Sequence, residues 1–138
     1  MRLSIYGALA LALVVGGCGT DTPTSPTSNV PFSTVDVRVG TGTEATSGRT
    51  ASINYSGYLY SATAAENKGT PFDAGSFPFV VGATNIIPGF SQGVLGMRVG
   101  GIRRVIIPPN LAYGAQGRPP EIPGNATLVF QIELLAVQ

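Results

Sequence analysis

The alternating pattern that decides the fold occupies residues 128–134, which read Leu-Val-Phe-Gln-Ile-Glu-Leu. Every second residue from Leu128 onward is large and apolar, whereas Gln131 and Glu133 stand between them. Because successive side chains of a β-strand point to opposite faces, this period predicts a strand with one buried face. Residues 53–59 (Ile-Asn-Tyr-Ser-Gly-Tyr-Leu) show the same alternation. We therefore predict two strands that each present one face to the core.

Four weaker patterns complete the predicted architecture. Residues 35–39 alternate Val with Asp and Arg and predict a half-buried strand. Residues 77–81 predict a short strand in which Pro78 requires an edge position or a bulge, because proline has no N–H for a ladder. Residues 99–107 predict another strand, and residues 90–97 predict a single short helix. The expected fold class is α+β, with a mostly antiparallel sheet folded against one short α-helix.

The composition excludes several classes of catalytic site. The 138 residues include no His and a single Cys, and the formal net charge is +1. Without imidazole, neither a Ser-His-Asp triad, nor a Cys-His pair, nor a zinc site of His and Cys can be assembled. A charge near zero gives no electrostatic footprint for nucleic acid, so binding must depend on apolar shape and a few hydrogen bonds. We expect no nucleic-acid partner, no metal and no cofactor.

The first residues of the chain predict export. Met1-Arg2 precedes a mostly apolar run over residues 3–15, which is shorter than the roughly 18 residues needed to span a bilayer and is typical of a signal peptide. Residues 14–18 (Val-Val-Gly-Gly-Cys) resemble a bacterial lipobox, which implies lipidation of Cys18. A plain secretory signal is the alternative interpretation.

Three segments follow from this interpretation of the N-terminus. We expect a lipoprotein signal peptide at 1–17, the lipidated Cys18 with a flexible Thr/Ser/Pro tether at 18–34, and a folded domain at 35–138. The expected location is the cell envelope, anchored through the lipid of Cys18. In a bacterium with two membranes, that anchor would lie in the outer membrane and face the periplasm.

Five short stretches of the folded domain carry the most specific signal. They are residues 53–59; Phe72-Asp73; residues 79–82 leading to 86–90 (Ile-Ile-Pro-Gly-Phe); residues 99–100 with 106–108; and residues 111–114 (Leu-Ala-Tyr-Gly) leading to 126–130. In their order and approximate spacing they resemble the FKBP-type peptidyl-prolyl isomerases. The resemblance implies a strongly bent, mostly antiparallel β-sheet wrapped around one short α-helix.

The resemblance also implies an apolar pocket for a proline ring. Phe90 corresponds to the pocket floor, which is usually Trp in the family. Asp73 and Tyr113 correspond to polar groups at the rim that act on the substrate together with the backbone N–H of Ile87, and Ile122 matches an apolar contact in a loop that overhangs the pocket. The corresponding wall residues are Tyr55, Phe72, Phe77, Ile86, Ile87 and Phe130.

The activity implied by the resemblance is acceleration of rotation about X-Pro bonds, in support of the folding of exported proteins. Expected partners are proline-containing unfolded or exported polypeptides, macrolides of the rapamycin type, and the membrane through the lipid anchor; the expected state is a monomer. Two alternatives stay open. One is a peptide-binding or chaperone lipoprotein with the same pocket and little turnover, and the other is a structural envelope lipoprotein.

Overall fold

The computed structural model describes residues 30–138. The predicted signal peptide, Cys18 and the tether up to residue 29 lie outside the described residues. Within residues 30–138 the chain has five strands, one α-helix and two single 3₁₀ turns at Ala65–Asn67 and Pro109–Leu111. The strands are β1 (Ser33–Arg38), β2 (Thr50–Tyr60), β3 (Lys68–Val80), β4 (Ile102–Ile107) and β5 (Leu128–Val137), and the helix is α1 (Pro88–Val94).

The five strands form one sheet in the order β1-β4-β5-β2-β3, and every neighbouring pair is antiparallel. The helix α1 packs against β4 and β5 on one face of this sheet. The predicted fold class, an α+β arrangement with one short helix, is confirmed. None of the helices in the part of the chain described is long and apolar enough to cross a membrane.

The core lies between α1 and the inner face of the sheet. In β5, every second residue from Leu128 to Leu134 is buried, while Gln131 and Glu133 are partly exposed, as the sequence period predicts. β2 buries Ala51 and Ile53 in the same way. These two strands lie next to each other near the middle of the sheet, which explains why their sequence patterns are the clearest in the chain.

Close packing of α1 on β4 fixes the position of the helix. Pro88 occupies the first turn, where its fixed φ favours helix initiation and its missing N–H costs no hydrogen bond. A side chain at Gly93 would lie 2.7 Å from Cγ2 of Val105, so glycine allows the helix to approach the sheet directly. The helix ends after Val94, and Gly96 turns the chain away with a φ of 85°. The observed helix is therefore shifted toward the N-terminus relative to the predicted 90–97.

Two of the predicted strands differ from the structure in length. β3 runs over Lys68–Val80, much longer than the predicted 77–81, because it pairs with β2 along nearly its whole length. It is an edge strand, which confirms the position expected from Pro78. β4 begins at Ile102 rather than at residue 99, since the N–H of Gly101 closes a turn on the carbonyl of Arg98.

The half-buried strand predicted over residues 35–39 forms as β1, which ends at Arg38, but the valine side is not buried. Val35, Val37 and Val39 are 47%, 49% and 72% exposed. β1 is the other edge strand, and Asp36 lies opposite Arg103, whose side chain reaches the end of α1. The acidic residue thus takes the face that carries the helix, and the valines take the opposite face.

Candidate active site

A cavity of about 210 Å³ opens between β2, β3 and the start of α1. All the residues predicted from the sequence to bind or act on the prolyl substrate line it except Ile122. Those residues are Tyr55 on β2; Phe72, Asp73 and Phe77 on β3; Ile86 and Ile87 before α1; Phe90 on α1; Tyr113 after β4; and Phe130 on β5. Side chains that are far apart in sequence thus share one concave surface.

Aromatic rings packed edge to face close the bottom of the cavity. The Phe90 ring is 3% exposed and lies 5.2 Å from the Phe130 ring at an interplanar angle of 87°. It also lies 6.0 Å from the Tyr55 ring at 89°, and it is stacked on the Phe77 ring at 5.9 Å and 29°. Edge-to-face contacts of this kind stabilise aromatic clusters beyond the burial of their area. The floor is therefore a rigid apolar surface on which a small ring can lie flat.

The absence of a side chain at Gly57 allows two of the walls to meet. A Cβ atom there would lie 2.7 Å from Cζ of Phe72 and 2.9 Å from Cε1 of Phe130. In its absence the two rings pack edge to face with centroids 5.6 Å apart. Gly57 is thus a structural requirement of this cavity wall.

One hydrogen bond links the two strands at the mouth of the cavity. The Tyr55 hydroxyl donates to Oδ2 of Asp73 at 2.6 Å, and the N–H of Ala74 donates to Oδ1 at 2.9 Å. Burial, followed by the hydrogen bond to the Asp73 carboxylate, raises the pKa of Tyr55 to about 12. Tyr55 therefore stays a neutral hydrogen-bond donor at physiological pH, and both carboxylate oxygens of Asp73 already accept a hydrogen bond.

The segment before α1 supplies a backbone donor at the cavity. Ile87 is the residue that precedes the first turn of the helix, and its carbonyl accepts from the N–H of Phe90 at 3.1 Å. Its own N–H donates to no carbonyl of residues 30–138. An N–H in that position can donate to a carbonyl of a bound peptide.

Comparison with known proteins identifies the family. Residues 41–135 match the family described as FKBP-type peptidyl-prolyl cis-trans isomerase. The chain belongs to this family.

Individual relatives agree with the FKBP-type assignment. The chain is 45% identical over 106 residues to the 39 kDa FK506-binding nuclear protein of Drosophila melanogaster, covering 75% of this chain and 28% of that protein. It is 43% identical over 94 residues to FK506-binding protein 2 of Dictyostelium discoideum, covering 66% of this chain and 67% of that protein. It spans only 24% to 31% of the length of three of the curated relatives that it matches.

Solved structures of other proteins share the fold. The crystal structure of FkpA from Escherichia coli superposes with a TM-score of 0.65 at 34% sequence identity, covering 80% of this chain and 50% of that chain. The similarity is therefore one of sequence and of three-dimensional structure, and it extends over most of the residues that the structure describes.

Ile122 lies outside the cavity of this FKBP-type domain. It is only 2% exposed and contributes to an adjoining hollow of about 170 Å³. Its backbone exchanges two hydrogen bonds with Arg118, with N···O distances of 2.8 and 3.0 Å. In this structure Ile122 anchors its loop to the core, and the substrate contact expected for it is not part of the observed cavity.

Asn85 and Arg118 line the cavity of the FKBP-type domain without having been predicted. Asn85 stands two residues before Ile87, and Arg118 belongs to the turn-rich loop at 117–124. Neither position lies in a strand or helix, so no periodicity marks them. The described residues form no group of three or more His, Cys, Asp or Glu side chains that could hold a metal ion.

Proposed function

We propose that this chain catalyses the cis/trans isomerisation of X-Pro peptide bonds, with the prolyl ring seated on Phe90. The observation that carries the proposal is the cavity itself, whose floor and walls are aromatic and whose mouth holds a few polar groups. The membership of the chain in the FKBP-type family supports the same activity. The proline ring is small and apolar, and such a surface suits it.

Removal of water explains how this cavity would lower the barrier. Rotation requires loss of amide resonance, against a barrier of about 18–20 kcal/mol. The planar amide has more charge separation than the twisted amide, so transfer from water to an apolar site disfavours the planar ground state. An acceleration of about 10² to 10³ corresponds to only about 3–4 kcal/mol. Desolvation with one or two hydrogen bonds can supply that without a proton transfer or a covalent intermediate.

The polar groups at the mouth divide into two roles in this proposal. The Ile87 N–H and the Tyr113 hydroxyl hold the peptide carbonyls. Asp73 acts through Tyr55 by accepting the hydrogen bond that fixes the Tyr55 hydroxyl, and the N–H of Ala74 holds the other carboxylate oxygen. Substrate binding and orientation therefore depend on fixed donors rather than on an acid or a base.

The decisive experiment measures turnover of a short Leu-Pro peptide by the full chain, using NMR exchange spectroscopy. Isomerisation accelerated in proportion to protein concentration and suppressed by rapamycin supports the proposal. Peptide binding without acceleration would support the peptide-binding or chaperone alternative instead. Absence of both would contradict the assignment of the cavity.

We further propose that the chain acts on exported proteins at the cell envelope, anchored through a lipid on Cys18 as a monomer. The support is the apolar run before Cys18 and the fact that this is the single cysteine of the sequence. Mass spectrometry of the chain expressed in a bacterium tests it. Acylation that is lost in Cys18→Ser is the expected result, and an unmodified or uncleaved N-terminus would contradict it.

A further inference from the structure

Arg118 lines the proposed prolyl cavity and is not used by the mechanism above. It also lines the adjoining hollow, which shares Phe72, Asp73 and Arg118 with the cavity. Among the residues described, it is the one cationic side chain that lines either space. Its charge therefore lies at the edge that the cavity shares with the hollow.

The structure holds Arg118 in this position from two sides. The paired hydrogen bonds with the buried Ile122 fix its backbone. Its guanidinium lies over the Tyr113 ring, 6.0 Å from the centroid, a distance typical of a cation–π contact. The Arg118 side chain is exposed, but its backbone is held by Ile122 and its guanidinium lies against Tyr113. Its N–H donors are therefore presented at the rim.

Arg118 is the cationic group at the rim, where its guanidinium interacts with Tyr113, Asp73 and Glu121. Arg118 forms no salt bridge within residues 30–138. Asp73, the acidic group of the cavity, already accepts at both oxygens. Glu121 lines the hollow but not the cavity. An incoming carboxylate thus meets an exposed guanidinium, whereas an incoming ammonium meets a carboxylate whose charge is already stabilised by two hydrogen bonds.

We propose that Arg118 is a specificity-determining residue that favours substrates with an acidic side chain immediately before proline. The proposal rests on the isomerase function proposed above. The residue before proline is joined to it by the rotating bond, with Cα atoms about 3.8 Å apart in the trans form, so its side chain starts close to the prolyl ring. A carboxylate there can meet the guanidinium, and a lysine side chain is repelled.

The experiment compares kcat/KM of the full chain for three peptides that differ only in the residue before proline: Glu, Leu or Lys. A rim charge contributes modestly, and we expect the Glu-to-Lys ratio to be about fivefold at low salt and to fall toward one at about 0.5 M salt. Arg118→Gln should remove this preference and Arg118→Lys should retain most of it. Arg49→Gln changes the net charge equally at an exposed site that lines neither space, and should leave the ratio as it is in the wild type.

Failure of this inference is distinguishable from failure of the proposed function. If the Leu peptide is accelerated and Arg118→Gln keeps the wild-type ratio, Arg118 does not select by charge and the inference is wrong. If no peptide is accelerated, the isomerase proposal fails. The affinities of the same three peptides, measured by NMR titration, then decide whether Arg118 selects ligands in a binding module.

Discussion

The Tyr55 hydroxyl donates a 2.6 Å hydrogen bond to Asp73 and so joins β2 to β3 across the mouth of the cavity. The two strands are paired so that Gly57 lies opposite Asp73 and Tyr55 lies opposite Gly75. A Cβ atom at Gly75 would lie 3.6 Å from Cε1 of Tyr55, an ordinary contact, so the Tyr55 ring lies directly over this position. The ring that forms a wall of the site is therefore held at its polar end by a carboxylate.

A double-mutant cycle on this pair should give a coupling free energy of about 1 kcal/mol, because a hydrogen bond to a carboxylate is stronger than a neutral one but this pair is partly exposed. The free energies of unfolding of the wild type, Tyr55→Phe, Asp73→Ala and the double variant, measured with urea, test this. Effects of the single changes that simply add would show that the hydrogen bond contributes nothing to stability.

The raised pKa of Tyr55 predicts an alkaline loss of stability. Its pKa is raised from 10.0 to about 12 by burial and by Asp73, so the folded state retains the phenol proton better than the unfolded state. This contribution is fully present below pH 10 and is lost as the pH rises toward 12. Urea unfolding across that range should show a smaller loss in Tyr55→Phe than in the wild type. Tyr60→Phe, which removes a hydroxyl outside the cavity, should retain the wild-type loss.

Arg103 should contribute more to stability than any exposed ion pair. Its guanidinium donates to the carbonyls of Gly93 and Leu95 at 3.0 and 3.1 Å and to Asp36 at 2.7 Å, satisfying the carbonyl end of α1. Arg103→Gln should lower the free energy of unfolding by about 2 kcal/mol. Arg38→Gln removes an exposed ion pair with Glu133 and one hydrogen bond to the carbonyl of Gly100, and should cost less than about 1 kcal/mol. Equal effects of the two changes would contradict the capping role.

The parts of the fold that were predictable from the sequence are those with one buried face. β5 and β2 lie in the interior of the sheet. The alternation of apolar residues along each predicts both that the strand forms and which of its faces is buried. β1 is an edge strand, and there the same alternation predicts the wrong inner face. The ion pair between Asp36 and Arg103 places Asp36, rather than the valines, on the side of the helix. The length of β3 depends on pairing with β2, which no local pattern in residues 68–76 indicates.

The site residues that belong to the family pattern could be predicted from the sequence. Those whose positions depend on loop conformation could not. The resemblance brought together the residues that the structure gathers around Phe90. The bond from Tyr55 to Asp73 needs the register of β2 and β3, which the sequence alone does not supply. Arg118 reaches the cavity because Ile122 is buried, and the burial of a loop residue follows from tertiary packing.

Gly57→Ala should reduce turnover more than the same substitution at an equally crowded glycine outside the cavity. The added methyl group would push apart the rings of Phe72 and Phe130, and overpacking of this kind costs about 1–3 kcal/mol. We expect kcat/KM for a Leu-Pro peptide to fall by about tenfold in the folded variant, since the wall is displaced. Gly93→Ala crowds Val105 beneath the helix and should lower stability with a smaller effect on turnover. A larger loss of turnover in Gly93→Ala would contradict the role of Gly57.

Phe90→Leu and Phe79→Leu form a matched pair that separates an effect on the proposed substrate site from an effect on core packing. Both rings are buried and their centroids lie 5.6 Å apart, but only Phe90 lines the cavity. Each change leaves a smaller apolar side chain and should lower the free energy of unfolding by about 1–3 kcal/mol. Phe90→Leu removes the flat floor beneath the prolyl ring and should reduce kcat/KM by about tenfold or more, whereas Phe79→Leu should reduce it less than threefold. Turnover and urea unfolding measured on the same samples check both values. If a folded Phe90→Leu turns over the peptide as well as Phe79→Leu does, the prolyl ring does not sit on Phe90.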